Sequence, residues 1–431
     1  MKIDFLGIKN YKSLRDVQIS PSDFTVLIGP NGSGKSNIAS AFDFIGDVYQ
    51  NGLEYAVAKK GGYENIAFRK IRRTKSPVEF FVRAIVVGRL LRRFFTHQAF
   101  RRMTPGVRPR SRLEVNHHFK FRAARQSVGA EYVLESESLE MVFRGVDFKS
   151  DLFSPSDDYV LCKLIREDNL IKVTSNHAVL RENLEKFLEI YNDFQAESDL
   201  YELFAKQLFP QLAALMGAIA VHQFSPQISR GSGAPSPNPR LSGYGQNLPS
   251  LVDWLQRRHK DAWVTVESAM RDIIPDLEEI TVGYLHTKQL GLFFKESSFG
   301  RAWAAEDVSD GTIQTLAILS ALADPRNSLM FIEEPENSVH PWIVRQIAAV
   351  LRKLSKTSQI IVTTHSPLIL NAVDPKSVLV CFKRNGATHV KPLVELDPDL
   401  LLNWESGVDR LFDMLDTGCI VEAVPLPGGE Q

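Results

Sequence analysis

The spacing of apolar positions changes along this chain, and the changes mark its elements. Phe24-Thr25-Val26-Leu27-Ile28 is a short, nearly continuous apolar run, the pattern of a buried strand. After a glycine-rich stretch, Ile38, Phe42, Ile45 and Tyr49 fall on one face of a helix. Late in the chain, Leu329-Met330-Phe331-Ile332 and Gln359-Ile360-Ile361-Val362 repeat the buried-strand pattern, while Ile313, Leu316, Ala317 and Leu319 predict a helix from Thr312 to Leu322. Between these ends the period shortens to two. Pro77 to Val87 and Ser111 to Ala123 alternate as strands do, the second with Leu113, Val115, His117, Phe119 and Phe121 on one face. Residues 279–296 read as a hairpin turning around His286 to Gln289. Residues 180–220 turn helical, with Leu184, Phe187, Leu188 and Tyr191 on one face, but lack the heptads of a long coiled-coil arm. The stretch 229–247 is rich in Ser, Gly and Pro and predicts loop. These patterns divide the chain into 1–150, 151–244, 245–390 and a tail over 391–431. The first holds a strand–helix unit and an antiparallel β lobe; the second is a helical insertion with a flexible loop; the third is a further α/β lobe.

Composition adds constraints. A chain of 431 residues that is 44% hydrophobic supports a large core and two lobes. Cys162, Cys381 and Cys419 are too widely spaced for a disulfide framework or a metal cluster, which fits a reducing cytosol. The sequence opens without a signal pattern, and no apolar run reaches about 18 residues, so a cytoplasmic protein without membrane spans is expected. Formal net charge is zero, yet residues 59–125 hold nineteen Lys/Arg against three Asp/Glu. There Arg89, Arg92, Arg93, Arg101, Arg102, Arg108, Arg110 and Arg112 are interleaved with Phe94, Phe95 and Phe100, a composition suited to phosphate backbones of nucleic acid. A solvated loop, or pairing with the acidic segment Glu131 to Glu140, would give the same stripe.

Four motifs carry chemistry. Gly29-Pro30-Asn31-Gly32-Ser33-Gly34-Lys35-Ser36 fits the full phosphate-loop pattern between a strand and a helix. Backbone N–H groups from about Gly32 to Ser36 are expected to cradle phosphates, with Lys35 reaching the β- and γ-phosphates and Ser36 ligating Mg²⁺. The strand ending in Glu333-Glu334-Pro335 supplies one carboxylate for Mg²⁺, Glu333, and a neighbour, Glu334, that can polarise an attacking water. In Thr363-Thr364-His365-Ser366-Pro367, His365 follows a strand end where ligands bind and is expected to meet the γ-phosphate or the water. Val308-Ser309-Asp310-Gly311-Thr312 opens a helix, and Ser309 or Asp310 is either a simple N-cap or part of an anion site.

In this order the four motifs resemble the head domain of ABC-type ATPases of the SMC, RecF and OLD-like branch, relatives of the wider AAA ATPases. The phosphate-loop form through Asn37, Glu333-Glu334-Pro335-Glu336-Asn337 with His340-Pro341, and Thr363-Thr364-His365-Ser366-Pro367 all match. Ile8-Lys9-Asn10-Tyr11-Lys12-Ser13-Leu14 resembles the hairpin that runs beside the adenine. The resemblance covers residues 1–50 and about 245–390, and Asp310 stands where transporters usually carry glycine.

It implies a P-loop NTPase of α/β class, an ABC-type head with an antiparallel β lobe. It implies ATP and Mg²⁺ as ligands, held by Asn31, Gly32, Ser33, Gly34, Lys35, Ser36 and Asn37. It also implies that Ser309 and Gly311 of one protomer clamp the γ-phosphate held by another, in a homodimer or larger homo-oligomer. Gln223, after Val221-His222, is either the glutamine that couples Mg²⁺ to lobe motion in this branch or an ordinary loop residue. Members without a coil or a nuclease domain often serve bacterial anti-phage systems such as Septu, beside a separate effector such as an HNH nuclease. The 66 residues after His365 are too few for a toprim nuclease. The other readings are a RecF-type repair ATPase, a transporter subunit, which Asp310 and the basic insertion oppose, and a scaffold held together by ATP.

Overall fold

The computed structural model describes residues 1–68, 76–87, 105–123, 132–148, 159–167, 170–176, 181–182, 184–186, 210–405 and 411. In chain order its strands are β1 (Lys2–Tyr11), β2 (Leu14–Ile19), β3 (Phe24–Ile28), β4 (Val78–Val87), β5 (Pro105–Ala123), β6 (Tyr132–Phe148), β7 (Tyr159–Glu167) and β8 (Leu170–Thr174). They continue as β9 (Ile219–His222), β10 (Leu277–Tyr284), β11 (Leu290–Glu296), β12 (Ala302–Ala304), β13 (Leu329–Glu333), β14 (Gln359–Thr363), β15 (Val378–Arg384) and β16 (Ala387–Pro392).

The continuous apolar runs assemble into one sheet, in the order β16-β15-β3-β14-β13-β9. All its pairings are parallel except β15 with β16. A strand buried on both faces suits such a sheet. The pleat sorts the side chains: Leu27, Leu329, Phe331 and Ile361 enter one core, while Val26, Ile28, Met330, Ile332, Ile360 and Val362 enter the other. The first core is filled by the helix Lys35–Asn51, whose expected face of Ile38, Phe42, Ile45 and Tyr49 is fully buried. Phe42 packs on Phe331 of the parallel sheet, with ring centroids 5.5 Å apart, and Phe44 stacks on Phe80 of β4 at 5.3 Å. The helix is thus clamped between two sheets. The second core holds the helices Leu248–Arg258, Lys260–Ile273, Asp310–Ala323 and Pro341–Leu354.

The other large sheet is antiparallel, β2-β1-β4-β5-β6-β7-β8, and the alternation expected on β5 is present, with Leu113, Val115, His117, Phe119 and Phe121 all buried. Truncating Phe80 or Phe119 in this core would cost about 3–5 kcal/mol. The hairpin expected over 279–296 is β10–β11, turning through Leu285 to Gln289.

The expected boundaries shift in the middle. The antiparallel lobe continues past residue 150, since β7 pairs with β6 and β8 with β7. Likewise β9 belongs to the parallel core, paired with β13, rather than to an insertion. β8 and β9, with five and four residues, are too short for a period to show. The helix Pro210–Met216 is described, but Phe187, Leu188 and Tyr191 lie outside the described residues. No helix among the described residues is long and apolar enough to cross a membrane.

Candidate nucleotide site

The phosphate loop leaves β3 and is pressed against β15 and β16. Gly29 has φ 148°, and a Cβ there would lie 1.9 Å from the Cys381 carbonyl oxygen. Gly34, at φ 111°, would place a Cβ 2.1 Å from Thr388 Oγ1. Both positions therefore require glycine. Gly32, at φ 76°, is different: nothing lies within 4 Å of its would-be Cβ, so the loop is open there.

A chain of donors pins the loop from behind. Asn37 Nδ2 donates to Ser13 Oγ at 2.7 Å, Ser13 Oγ lies 2.7 Å from Thr388 Oγ1, and Thr388 Oγ1 donates to the Ser33 carbonyl at 2.8 Å. Asn37 is thus committed to the β1–β2 turn rather than free for a ligand. Asn31 and Gly32 are exposed, while the Ser33 hydroxyl is buried without a hydrogen-bond partner. The open cradle, the unpartnered hydroxyl and the free N–H groups at the start of the helix together fit a string of phosphates.

Lys35 is 7% exposed and folds back on its own loop, donating to the Gly29 carbonyl at 2.7 Å and the Pro30 carbonyl at 3.1 Å. Burial lowers its pKa, against upward pulls that include Glu334 and Glu333. Glu333, the last residue of β13, lies close enough to the Ser36 side chain to be influenced by it. Burial, then Glu334, raises the Glu333 pKa, while the Ser36 hydroxyl and Lys35 hold it down. Ser36 and Glu333 are therefore adjacent, as holding one Mg²⁺ requires. Among the described residues no group of three or more His, Cys, Asp and Glu side chains could hold a metal ion. Gln223 is exposed just past β9, where His222 pairs with Ile332, so it stands at the sheet edge that carries Glu333.

Glu334, the next residue, has a left-handed backbone, with φ 45°. Such a conformation costs a non-glycine residue about 1 kcal/mol or more and is held by its surroundings. Here its N–H donates to the Thr363 carbonyl at 2.9 Å, and its Oε2 accepts from Asn337 Nδ2 at 2.8 Å. His365 is close enough for its pKa to respond to the site: partial burial and then Lys35 lower it, against Glu334 and Glu336. A neutral imidazole results at neutral pH.

Glu336 was not expected as a site residue. Its Oε1 accepts from Thr364 Oγ1 at 2.6 Å and from the His365 N–H at 2.8 Å, so it holds the histidine loop against the carboxylate loop. The Glu-Glu-Pro-Glu spacing contained this residue, but nothing in sequence ties it to a backbone N–H 29 positions away. Thr388 was missed for the same reason.

The signature turn sits apart. Ser309 is exposed and caps its helix, accepting from the Thr312 N–H at 3.2 Å and bonding Thr312 Oγ1 at 2.9 Å. Asp310 forms an ion pair with Arg230 and accepts from Gln227 Nε2 at 3.2 Å. A Cβ on Gly311 would lie 3.2 Å from the Ser338 carbonyl oxygen, in the loop that follows Glu334. Neither Ser309 nor Gly311 hydrogen-bonds the phosphate loop among the described residues. The structure brings Lys35, Ser36, Glu333, Glu334 and His365 together within one chain, and leaves Ser309 facing outward.

In the basic stretch 59–125, thirteen of the nineteen cations have side chains outside the described residues. Its six cations with described side chains are all paired within the chain: Lys59 with Asp47 and Asp43, Lys60 with Asp43, Arg83 with Asp4, Arg112 with Glu114, and Lys120 and Arg122 with Glu135. The side chains of Arg89, Arg92, Arg93, Arg101, Arg102, Arg108, Arg110, Phe94, Phe95 and Phe100 lie outside the described residues. His117, on β5, bonds Glu137 at 2.8 Å and Tyr49 at 3.3 Å and belongs to the core.

Several known proteins are similar. Residues 1–74 match the family described as "AAA ATPase domain". Over 64 residues the chain is 36% identical to Structural maintenance of chromosomes protein 1 of Saccharomyces cerevisiae, a stretch that is 15% of this chain and 5% of that protein. Among solved structures, an SmcHead bound to the C-winged helix domain of ScpA aligns with a TM-score of 0.49 and 15% identity, covering 91% of this chain and 98% of that one. The SMC head domain from Thermotoga maritima gives 0.40 and 13%, covering 91% and 99%. The Smc head domain with an extended coiled coil, derived from Pyrococcus furiosus and bound to the C-terminal domain of ScpA, gives 0.45 and 15%, covering 90% and 95%. The P-loop NTPase architecture itself stands on the strand order and on where the motifs fall in it. Residues 93–371, well over half of the chain, match a second ATPase-type family, and the protein belongs to it: "AAA domain, putative AbiEii toxin, Type IV TA system".

Proposed function

We propose that this protein binds ATP with Mg²⁺ between two copies of itself and hydrolyses it to ADP and phosphate. The observation that carries this reading is the convergence of Lys35, the Ser36–Glu333 pair, Glu334 and His365 beside the open loop at Gly32. Lys35 exchanges the Gly29 and Pro30 carbonyls for β- and γ-phosphate oxygens. Mg²⁺, held by Ser36 and Glu333 with Gln223 at the rim, supplies charge compensation for the phosphates. Glu334, fixed by Thr363 and Asn337, orients the attacking water, and neutral His365 offers a hydrogen bond to the γ-phosphate. The exposed Ser309 hydroxyl and Gly311, which have no phosphate to meet in their own chain, serve the site of a partner copy.

The test is Glu334→Gln, which keeps shape but removes the carboxylate. ATP binding should persist while turnover falls at least ~100-fold. Wild-type-like turnover in that variant would remove Glu334 from this role and direct attention to Glu333 or His365.

A toxin in the description of the matched family supports a place in cellular defence, with the ATPase controlling a separate effector such as an HNH nuclease. Contact with nucleic acid through 59–125 rests on Arg89, Arg92, Arg93, Arg101 and Arg102, because the described cations there are already neutralised. Reversing Arg92, Arg93, Arg101 and Arg102 to Glu should abolish duplex DNA or structured RNA binding at low salt and leave basal ATPase activity intact. Equal binding by that variant would end this reading.

A further inference from the structure

A groove of about 960 Å³ runs along the helix Pro341–Leu354, on the far side of which the helix packs into the second core. Arg345, Arg352, Lys353 and Lys356 line it, together with Ala349, Leu368, Asn371, Ala372 and Trp404 and the buried Ala348 and Leu411, and among the described residues no carboxylate does. All four cations are exposed, and among the described residues none of them forms an ion pair. That sets them apart from the basic region 59–125, where every described cation is paired.

The spacing identifies what would fit. Arg345, Ala349 and Arg352 follow steps of four and three residues and so share one face of the helix, with Lys356 just past its end. This face spans about two turns, or roughly 10 Å. The exposed Ala349 lowers the middle of the helix surface, and the partly exposed Leu368, Ala372 and Trp404 continue an apolar floor. A phosphodiester backbone could neutralise the cations but has no aliphatic side chains to cover that floor. A helix with carboxylates along its flanks and aliphatic residues along its centre does both.

We propose that this groove docks an acidic amphipathic helix from a partner protein. Its carboxylates pair with Arg345, Arg352, Lys353 and Lys356, and its apolar stripe rests on Ala349, Leu368, Ala372 and Trp404. The site shares none of these residues with the nucleotide site, so its failure and the failure of the ATPase reading are separable.

The probe is a labelled synthetic helix with leucines at three- and four-residue spacing flanked by glutamates, titrated by fluorescence anisotropy into the full chain. Polyglutamate of equal length and a short duplex DNA are the comparisons. Two exposed-surface variants separate the two halves of the idea: Arg352→Glu with Lys356→Glu inverts the charge, and Ala349→Trp fills the trough while keeping every cation. Each should weaken the probe about ten-fold or more. Unchanged ATP-analogue affinity and melting temperature would show that the variants fold. Should either variant fold poorly, Arg345→Gln with Arg352→Gln replaces it, with the same loss expected. The proposal is overturned if the probe does not bind, if polyglutamate or DNA binds as tightly as the helix, or if Ala349→Trp leaves affinity unchanged.

Discussion

His222 offers a test of the core beside the nucleotide site. It ends β9, one residue before Gln223, and is 2% exposed. Its Nδ1–H donates to the Ser242 carbonyl at 3.1 Å, its ring stacks on Phe224 with centroids 4.8 Å apart, and its Nε2 has no partner. Burial pushes its pKa down to about 4, against smaller upward pulls from Ser242, Asp324 and Asp43. A second proton would leave an unpaired N–H in an apolar interior. In the unfolded chain the same imidazole titrates near its ordinary value of 6.5. The folded pKa lies below the unfolded one, so the stabilisation is complete above about pH 6.5 and is lost as pH falls toward about 4. Between about pH 7.5 and pH 5 the loss from this one group is about 2 kcal/mol. Urea unfolding followed by fluorescence, at several pH values across that range, measures it. His222→Phe keeps the stacked ring and removes the titration. The variant should be about 1 kcal/mol less stable near neutrality, for the lost bond to Ser242. Its decline on acidification should then be shallower by about 2 kcal/mol than that of the wild type. Parallel pH profiles for the two proteins would refute the reasoning.

Gly29→Ala should weaken binding of a fluorescent ATP analogue by about 100-fold or more, because the loop must leave the Cys381 carbonyl; affinity within three-fold of wild type would contradict that geometry. Glu336→Ala releases both Thr364 and the His365 N–H, so single-turnover hydrolysis should slow about ten-fold while ATP affinity changes little; an unchanged rate would reduce Glu336 to a loop residue. Mixing Lys35→Ala with Ser309→Arg protein should restore part of the activity, because one composite site then carries neither lesion; an inactive mixture with demonstrated subunit exchange would place each complete site within one chain.

The end segments were legible because their information is local. Phe24 to Ile28, the phosphate loop and the face of Ile38, Phe42, Ile45 and Tyr49 sit within thirty residues, and periodicity there reports directly on burial. The carboxylate and histidine strands were readable for the same reason. Their proximity was less so: Glu333 pairs with Thr363 only because β14 lies between β13 and β3, an order that local patterns do not encode. The middle failed at β7, β8 and β9, of which β8 and β9 are too short for a period to show. In the basic region, partners such as Asp47, Glu114 and Glu135 pair the described cations, and a charge count along the sequence does not reveal them. Glu336 and Thr388 act through contacts far apart in sequence, so their roles became visible only in three dimensions.

The position of β3 has a consequence for synthesis on the ribosome. Its two neighbours in the sheet, β14 and β15, are made more than three hundred residues later, and Ser13 meets Thr388 behind the phosphate loop. Until those strands emerge, the loop has no wall to press against, and Gly29 and Gly34 leave it free to wander. Closing a loop of that length is slow, and the contacts that reward it come last. A nascent or truncated chain that stops short of β16 can therefore fold its antiparallel lobe without gaining a nucleotide pocket. Competence for ATP arrives as a late event, at the moment the two ends of the chain meet.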